Sequence, residues 1–182
     1  NLGDESSAKD TASAYWEFYQ KNKEDFPNEI REANYKKLME KAYPFHPELI
    51  NMLREKWGTI HTFQKTRGVL RLLALVVSDL YKKKNSGALI QTADINLGNP
   101  EILSELLKYT GRQFEGVVAS DISGSTAKAS QIDRELGSEY AKESITEGIA
   151  NSIFMHSFSA KSDNGVPENV LRLCVLNTNL PI

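Results

Sequence analysis

One helix constrains most of what this chain can become. Residues 62–84 follow a single helical pattern that is apolar nearly all round between Val69 and Val77. A helix of that kind has no side to offer to water, so the pattern predicts a central helix packed on several neighbours. Two arginines interrupt it. Arg67 and Arg71 stand four residues apart and share a face with Gln64 and Ser78, which leaves a narrow polar stripe. A guanidinium stays charged and carries five donors, so a partly buried Arg71 must meet a carboxylate, a run of carbonyls or a phosphate. The plain reading is an internal ion pair with one of the many glutamates. Gly68 adds weight to the other reading, because glycine inside a helix costs about 1 kcal/mol relative to alanine. It is easier to explain where another backbone or a ligand comes close.

The rest of the chain reads as helices laid around this one. Residues 1–10 are small and polar without periodicity, a loose lead-in, after which Asp10 or Thr11 caps a helix to about Lys23 with Tyr15, Trp16 and Tyr19 on one side. Pro27 breaks it. A second amphipathic helix spans residues 28–42, with Ile30, Leu38 and Met39 apolar. The third is the best defined: Pro47 suits the first helical position, Glu48 the positive end of the dipole, and Gly58 its end, with Leu49, Ile50, Leu53 and Trp57 as core. Further on, Asn99-Pro100 opens a helix that Gly111 closes. Phe114 to Val118 reads as a short strand or a helical turn. Ser123 or Ser125 caps a helix that Gly137 ends, Ser138 opens a longer one to about Phe158, and Pro167 starts the last. The fold class expected is mainly α, a multi-helix bundle followed by a small helical region, with at most a few short strands.

Composition narrows the function. The apolar and charged fractions, 40% and 25%, are those of a globular protein, and a net charge of -2 argues against a surface dominated by phosphate-binding basic residues. A single cysteine, Cys174, cannot form an internal disulfide, and no run is long and apolar enough to span a bilayer. The expectation is a soluble, cytoplasmic protein without membrane contact. His46, His61 and His156 match no metal-ligand spacing and are read as a helix-entry residue, a surface residue and a packed residue. Ser125-Thr-Ala-Lys128 and Ser162-Asp-Asn164 copy two signatures of serine β-lactamases, but the third, Lys-Thr-Gly, does not follow. Asp121, Lys128, Asp133 and Arg134 are read as local caps and ion pairs. No catalytic set and no metal site is expected.

The block Tyr43-Pro-Phe-His-Pro-Glu-Leu, then Trp57, then Phe63-Gln-Lys-Thr-Arg-Gly-Val-Leu-Arg-Leu-Leu-Ala74, resembles the C-terminal part of the ATPase core, the lid and linker, in a family of large predicted AAA+ ATPases, number four hundred and ninety-nine among domains of unknown function. Ala119-Ser-Asp-Ile-Ser-Gly124 and Ile153-Phe-Met-His-Ser-Phe158 resemble later blocks of the same family, so the likeness covers about residues 40–176. AAA+ proteins present a sensor arginine from a Gly-x-x-Arg helix of their lid. The resemblance therefore implies that Arg71 senses nucleotide, with Arg67 as a second candidate beside Gly68, and that Tyr43, Pro44, His46 and Pro47 form the hinge from core to lid. It divides the chain into helices leading from the ATPase core (1–42), a lid-like bundle (43–111) and a helical extension cut off at its end (112–182).

The phosphate-binding Gly-x-x-x-x-Gly-Lys-Ser/Thr loop does not occur, and Leu72-Leu-Ala-Leu-Val-Val-Ser-Asp79, which superficially resembles a magnesium-holding strand, continues the helical pattern. Since the chain starts on Asn1 rather than methionine and stops after an apolar run, it reads as a fragment. ATP and magnesium are expected in the full-length parent only, with no cofactor and no ATPase activity in the fragment. The expected partners are the ATPase core of the same parent chain and a neighbouring subunit in a homo-oligomer. The alternative is a helical protein- or nucleic-acid-binding module of a multidomain protein.

Overall fold

Helix α1 (Glu5–Lys21) buries Ala12, Tyr15 and Tyr19 in a computed structural model that describes residues 5–64, 66–84, 87–160 and 165–178. It starts earlier than the polar lead-in suggests, because Ala8 and Lys9 are good helix formers and the buried aromatic face anchors the turns before it. After Pro27 the expected long helix is two pieces. A 3-10 turn (Asn28–Arg31) buries Ile30, Glu32 is extended with ψ 134°, and α2 (Ala33–Ala42) buries Met39. The break rotates the second piece relative to the first, which leaves Leu38 exposed rather than in the core.

Helix α3 (Pro47–Glu55) has Pro47 at its first turn, and the His46 side chain accepts from the Glu48 N–H. Leu49, Leu53 and Trp57 are fully buried, Ile50 is half-buried, and Met52 joins the core. The helix ends at Glu55, ahead of Gly58, which lies in a 3-10 turn (Trp57–Thr59). A further 3-10 turn (His61–Phe63) and Gln64, left-handed at φ 56°, precede α4 (Thr66–Lys83), so the arginine helix begins later than residue 62. Gly68 follows from that entry: a Cβ there would fall 2.0 Å from the Phe63 carbonyl oxygen. Overpacking of this kind costs about 1–3 kcal/mol, more than the ~1 kcal/mol alanine gains in a helix. Gly68→Ala should therefore lower the thermal midpoint, measured by circular dichroism. A midpoint equal to or above that of the wild type would mean that the turn yields freely.

The remaining elements close the bundle. Helix α5 (Pro100–Thr110) is capped by Asn99 and ended by Gly111 at φ 100°. The undecided segment is helical, α6 (Phe114–Val117) continuing into a π-helical turn (Val118–Ile122). Helix α7 (Lys128–Leu136) starts after Ala127 without a serine cap. The long helix expected from Ser138 is α8 (Ser138–Glu143) and α9 (Ile145–His156), parted by Ser144 at φ 50°. Its cap comes from elsewhere: the Asp133 carboxylate accepts from the N–H groups of Thr146 and Glu147 at 2.7 and 3.2 Å. Helix α10 (Glu168–Val175) completes the set. No strand occurs among the described residues, only an isolated bridge between Phe45 and Ile90, and the fold is mainly α.

Two apolar clusters hold the helices. One runs from Leu49 on α3 through Leu72, Leu73 and Val76 on α4 to Phe154 and Met155 on α9, so it draws from both sides of Gly111. The other joins Tyr15, Tyr19, Ile30 and Met39 with Leu89 and with Leu173 of α10, which brings the two terminal regions together.

Candidate functional site

The arginine helix is less enclosed than its composition suggests. Its inner face buries Gly68, Leu72, Leu73, Val76 and Asp79, while Arg67, Leu70, Arg71, Ala74, Ser78 and Tyr81 form an exposed stripe along the outer face. Leu70 is 63% and Tyr81 85% exposed. At 3.6 residues per turn these positions fall on one side, so an apolar sequence here marks a face with no covering element among the described residues rather than an enclosed helix.

Arg71 lies in the middle of that stripe with its side chain 50% exposed, and its Nη1 is 3.4 Å from Oε1 of Glu105 on α5. The carboxylate is the internal acceptor that a partly buried arginine requires. Yet Glu105, 5% exposed, already has closer donors: Lys108 Nζ at 2.6 Å and the Tyr109 hydroxyl at 3.0 Å. Burial pushes the Glu105 carboxyl up, but the Lys108 and Tyr109 hydrogen bonds and the charges of Lys108 and Arg71 outweigh it and hold the group below its usual range. Arg71 is thus the most distant of three donors. Arg67, one turn earlier, is exposed and forms no side-chain ion pair among the described residues. Gly68 is buried against Phe63, so the protein's own backbone makes the close approach that its presence suggested.

The other end of α4 is fixed by Asp79. Its carboxylate accepts from Asn99 Nδ2 at 2.7 Å and Asn96 Nδ2 at 3.0 Å, and pairs with Lys83 at 3.1 Å. Burial raises this carboxyl, and the two amides and Lys83 together lower it more, leaving it below its usual value. A depressed carboxyl stabilises the fold above its unfolded pKa, near 4 for Asp, and that contribution is lost as pH falls through the folded value. Asp79→Asn should cost about 1–3 kcal/mol at neutral pH. Urea titrations should show the gap between variant and wild type closing in acid. A gap independent of pH would remove the charge from the account.

Tyr43, Pro44, His46 and Pro47, the expected hinge, lie where the two apolar clusters meet, with Tyr43 packed on one and Phe45 on the other. The Tyr43–Pro44 bond is cis, the Phe45–Ile90 bridge is flanked by bonds from His46 N–H to Ile90 O and from Ile90 N–H to Pro44 O, both 2.8 Å, and Pro47 is buried. His46 is buried as well. Its Nδ1 accepts from Glu48 N–H at 3.1 Å, which places the ring proton on Nε2, 2.8 Å from the Tyr19 hydroxyl. Burial pushes this imidazole down to about 3, so it stays neutral and serves as a fixed link between α1 and α3. The segment is tied by hydrogen bonds on both sides.

A polar cleft of about 900 Å³ opens between the end of α4, the 3-10 turn Thr92–Asp94 and the α8–α9 junction. Sequence reading did not find it, since its walls come from stretches far apart in the chain, around Tyr15, within residues 79–96 and 142–151, and at Val175. Elsewhere the local readings match. Lys128 pairs with Asp121 at 3.1 Å, Arg134 donates to the Ser125 carbonyl, Cys174 is buried, His61 is exposed and His156 is packed. The Ser162-Asp-Asn164 triplet lies outside the described residues. Among the described residues no group of three or more His, Cys, Asp or Glu side chains could hold a metal, and no helix is long and apolar enough to cross a membrane.

The class these features define is a mainly helical module with a buried polar junction and an open, arginine-bearing helix face. Residues 5–171 match the model of the DUF499 second domain, and the chain belongs to that family. No curated protein and no solved structure matches it.

Proposed function

We propose that the chain is the helical lid and following linker of an AAA+-type ATPase, which senses nucleotide through Arg71 and has no complete nucleotide site of its own. The observation that carries this reading is the loose seat of Arg71. It is half exposed on an open helix face and 3.4 Å from a carboxylate that Lys108 and Tyr109 already satisfy. A guanidinium so placed has N–H groups to spare for a phosphate, and a charge-assisted bidentate contact is stronger than the long one it would give up. Such a contact forms before hydrolysis and weakens after it, so the position of the helix would follow the state of the nucleotide. Leu70 and Tyr81 on the same stripe favour a protein surface, the ATPase core of the parent chain, as what lies beside that phosphate. In this role ATP and magnesium belong to the core, and this chain contributes one arm of the closed state.

The test uses the full-length protein with Leu70→Cys. Maleimide should label position 70 readily without nucleotide and slowly with ATP and magnesium. Within these 182 residues the native Cys174 is buried, and labelling is read at position 70 by peptide mass, so cysteines elsewhere do not enter. Labelling that ignores nucleotide would favour the alternative, a helical interaction module that uses the same face on another partner.

A further inference from the structure

Helices α4 and α5 meet at the Glu105 carboxylate, which is 5% exposed and takes three donors. Oε2 receives Lys108 Nζ at 2.6 Å, while Oε1 receives both the Tyr109 hydroxyl at 3.0 Å and Arg71 Nη1 at 3.4 Å. Tyr109 and Arg71 therefore share one oxygen. Tyr109 stands on the same helix as Glu105 with its ring edge-on to Phe63 at a centroid distance of 5.0 Å, so its hydroxyl is held in place. Lys108 offsets most of the carboxylate charge, and Tyr109 occupies the oxygen that faces Arg71. The hold on Arg71 is weaker for both.

A carboxylate beside a working arginine can do one of two opposite things, aim it or hold it back. Aiming calls for a short, bidentate fork. Here one Nη is engaged at the far end of hydrogen-bonding distance, and half of the arginine side chain is in solvent. So slack a contact does not fix where the other guanidinium nitrogens point. What it does supply is a negative charge. Burial raises the Glu105 carboxyl, and Lys108, Tyr109 and Arg71 together lower it more, so the group is ionised at neutral pH. A phosphate that approaches Arg71 meets this charge both as a repulsion and as a rival for the same donor.

We propose that Glu105 competes with the nucleotide phosphate for Arg71, and that Lys108 and Tyr109, by occupying Glu105, set how readily it lets the arginine go; this rests on the lid reading above. Without nucleotide Arg71 is parked on α5. With ATP it passes to the phosphate, and Glu105 keeps two donors, so no bare buried charge is left behind to oppose the transfer. Glu105 is a positioning residue with no contact to the nucleotide. It raises the ATP concentration at which the lid closes, because part of the free energy of the new contact goes into undoing the old one.

The experiment measures, in the full-length protein, the concentration of ATP with magnesium that half-protects Leu70→Cys from maleimide. Glu105→Gln removes the charge and should lower that midpoint about two- to fivefold, the range that a partly exposed ion pair spans. Tyr109→Phe keeps the ring against Phe63 and clears Oε1 for Arg71, so it should raise the midpoint. Opposite shifts from two neighbouring residues are not what loss of structure produces. In an Arg71→Ala background neither change should move the midpoint further. Circular dichroism checks that each variant is folded, and Tyr109→Phe carries the test if Glu105→Gln is not. A midpoint that is unchanged or higher in Glu105→Gln, unchanged or lower in Tyr109→Phe, or shifted equally without Arg71 would overturn the proposal. If Arg71→Ala alone still raises the midpoint in such a case, the lid reading stands and only the competition fails. Labelling that ignores ATP even with Arg71 and Glu105 in place removes both.

Discussion

Trp57→Ala is expected to remove about 3–5 kcal/mol of stability, a large share of the 5–15 kcal/mol typical of a folded domain. Trp57 is fully buried in the larger cluster, where its ring meets the edges of Phe63 and Phe158 at centroid distances of 5.5 and 5.8 Å. Its indole N–H donates to the Met155 carbonyl at 2.8 Å, which links the end of α3 to α9 across 98 residues. Alanine would leave a cavity and also an unpaired carbonyl near the end of α9. Trp57→Phe keeps most of the apolar volume and loses the hydrogen bond, so it should cost less, about 1–3 kcal/mol. Urea unfolding followed by circular dichroism separates the two. If alanine and phenylalanine cost the same small amount, α3 and α9 are held by something other than this residue.

On the lid role proposed above, Arg71→Ala in the full-length protein is expected to lower the rate of ATP hydrolysis by roughly 100- to 1,000-fold, the loss typical of one preorganised charge donor. The stability of the chain should barely change. A half-exposed ion pair at 3.4 Å is worth at most about 1 kcal/mol, and Glu105 keeps Lys108 and Tyr109 after the change. These unequal effects distinguish a sensing arginine from a structural one, which would move stability and activity together. Arg71→Lys retains the charge without the planar fork, so partial activity is expected. Wild-type hydrolysis in Arg71→Ala would exclude it from the role. A loss in Arg67→Ala instead would pass the role to its neighbour one turn earlier.

Where helix boundaries depend on local chemistry, they were legible in the residues themselves. His46-Pro47 opens α3 and Asn99-Pro100 opens α5, with Gly111 and Gly137 closing their helices, because capping side chains, fixed proline φ and positive glycine φ act within a few bonds. Boundaries set from a distance were not. Nothing near Ser144 announces a break, since the cap of α9 is Asp133 on another helix. The split after Arg31 likewise turns on an extended Glu32 that carries no turn signature. The same division holds for the site. The stripe bearing Arg67 and Arg71 follows from spacing alone, whereas Glu105, 34 residues from Arg71, and the facing of Asn151 onto Ala93, 58 residues away, exist only once the chain has folded. Apolar content also misled, because it counts greasy residues without saying whether a neighbour covers them; Leu70 is the instance.

The smaller apolar cluster sets an order on biosynthesis. Tyr19, Ile30 and Met39 are made well before Leu89 and Leu173, which belong to the same core, and Arg172 of α10 pairs with Asp25. The amide of Gln91 likewise donates to the carbonyls of Leu173 and Leu176. At typical elongation rates of ~5–20 residues per second, the first helix waits on the order of ten seconds for these partners to be made. Within residues 5–178 the segment made first is therefore consolidated late, and during that interval its tyrosine-rich face is the surface a chaperone would meet.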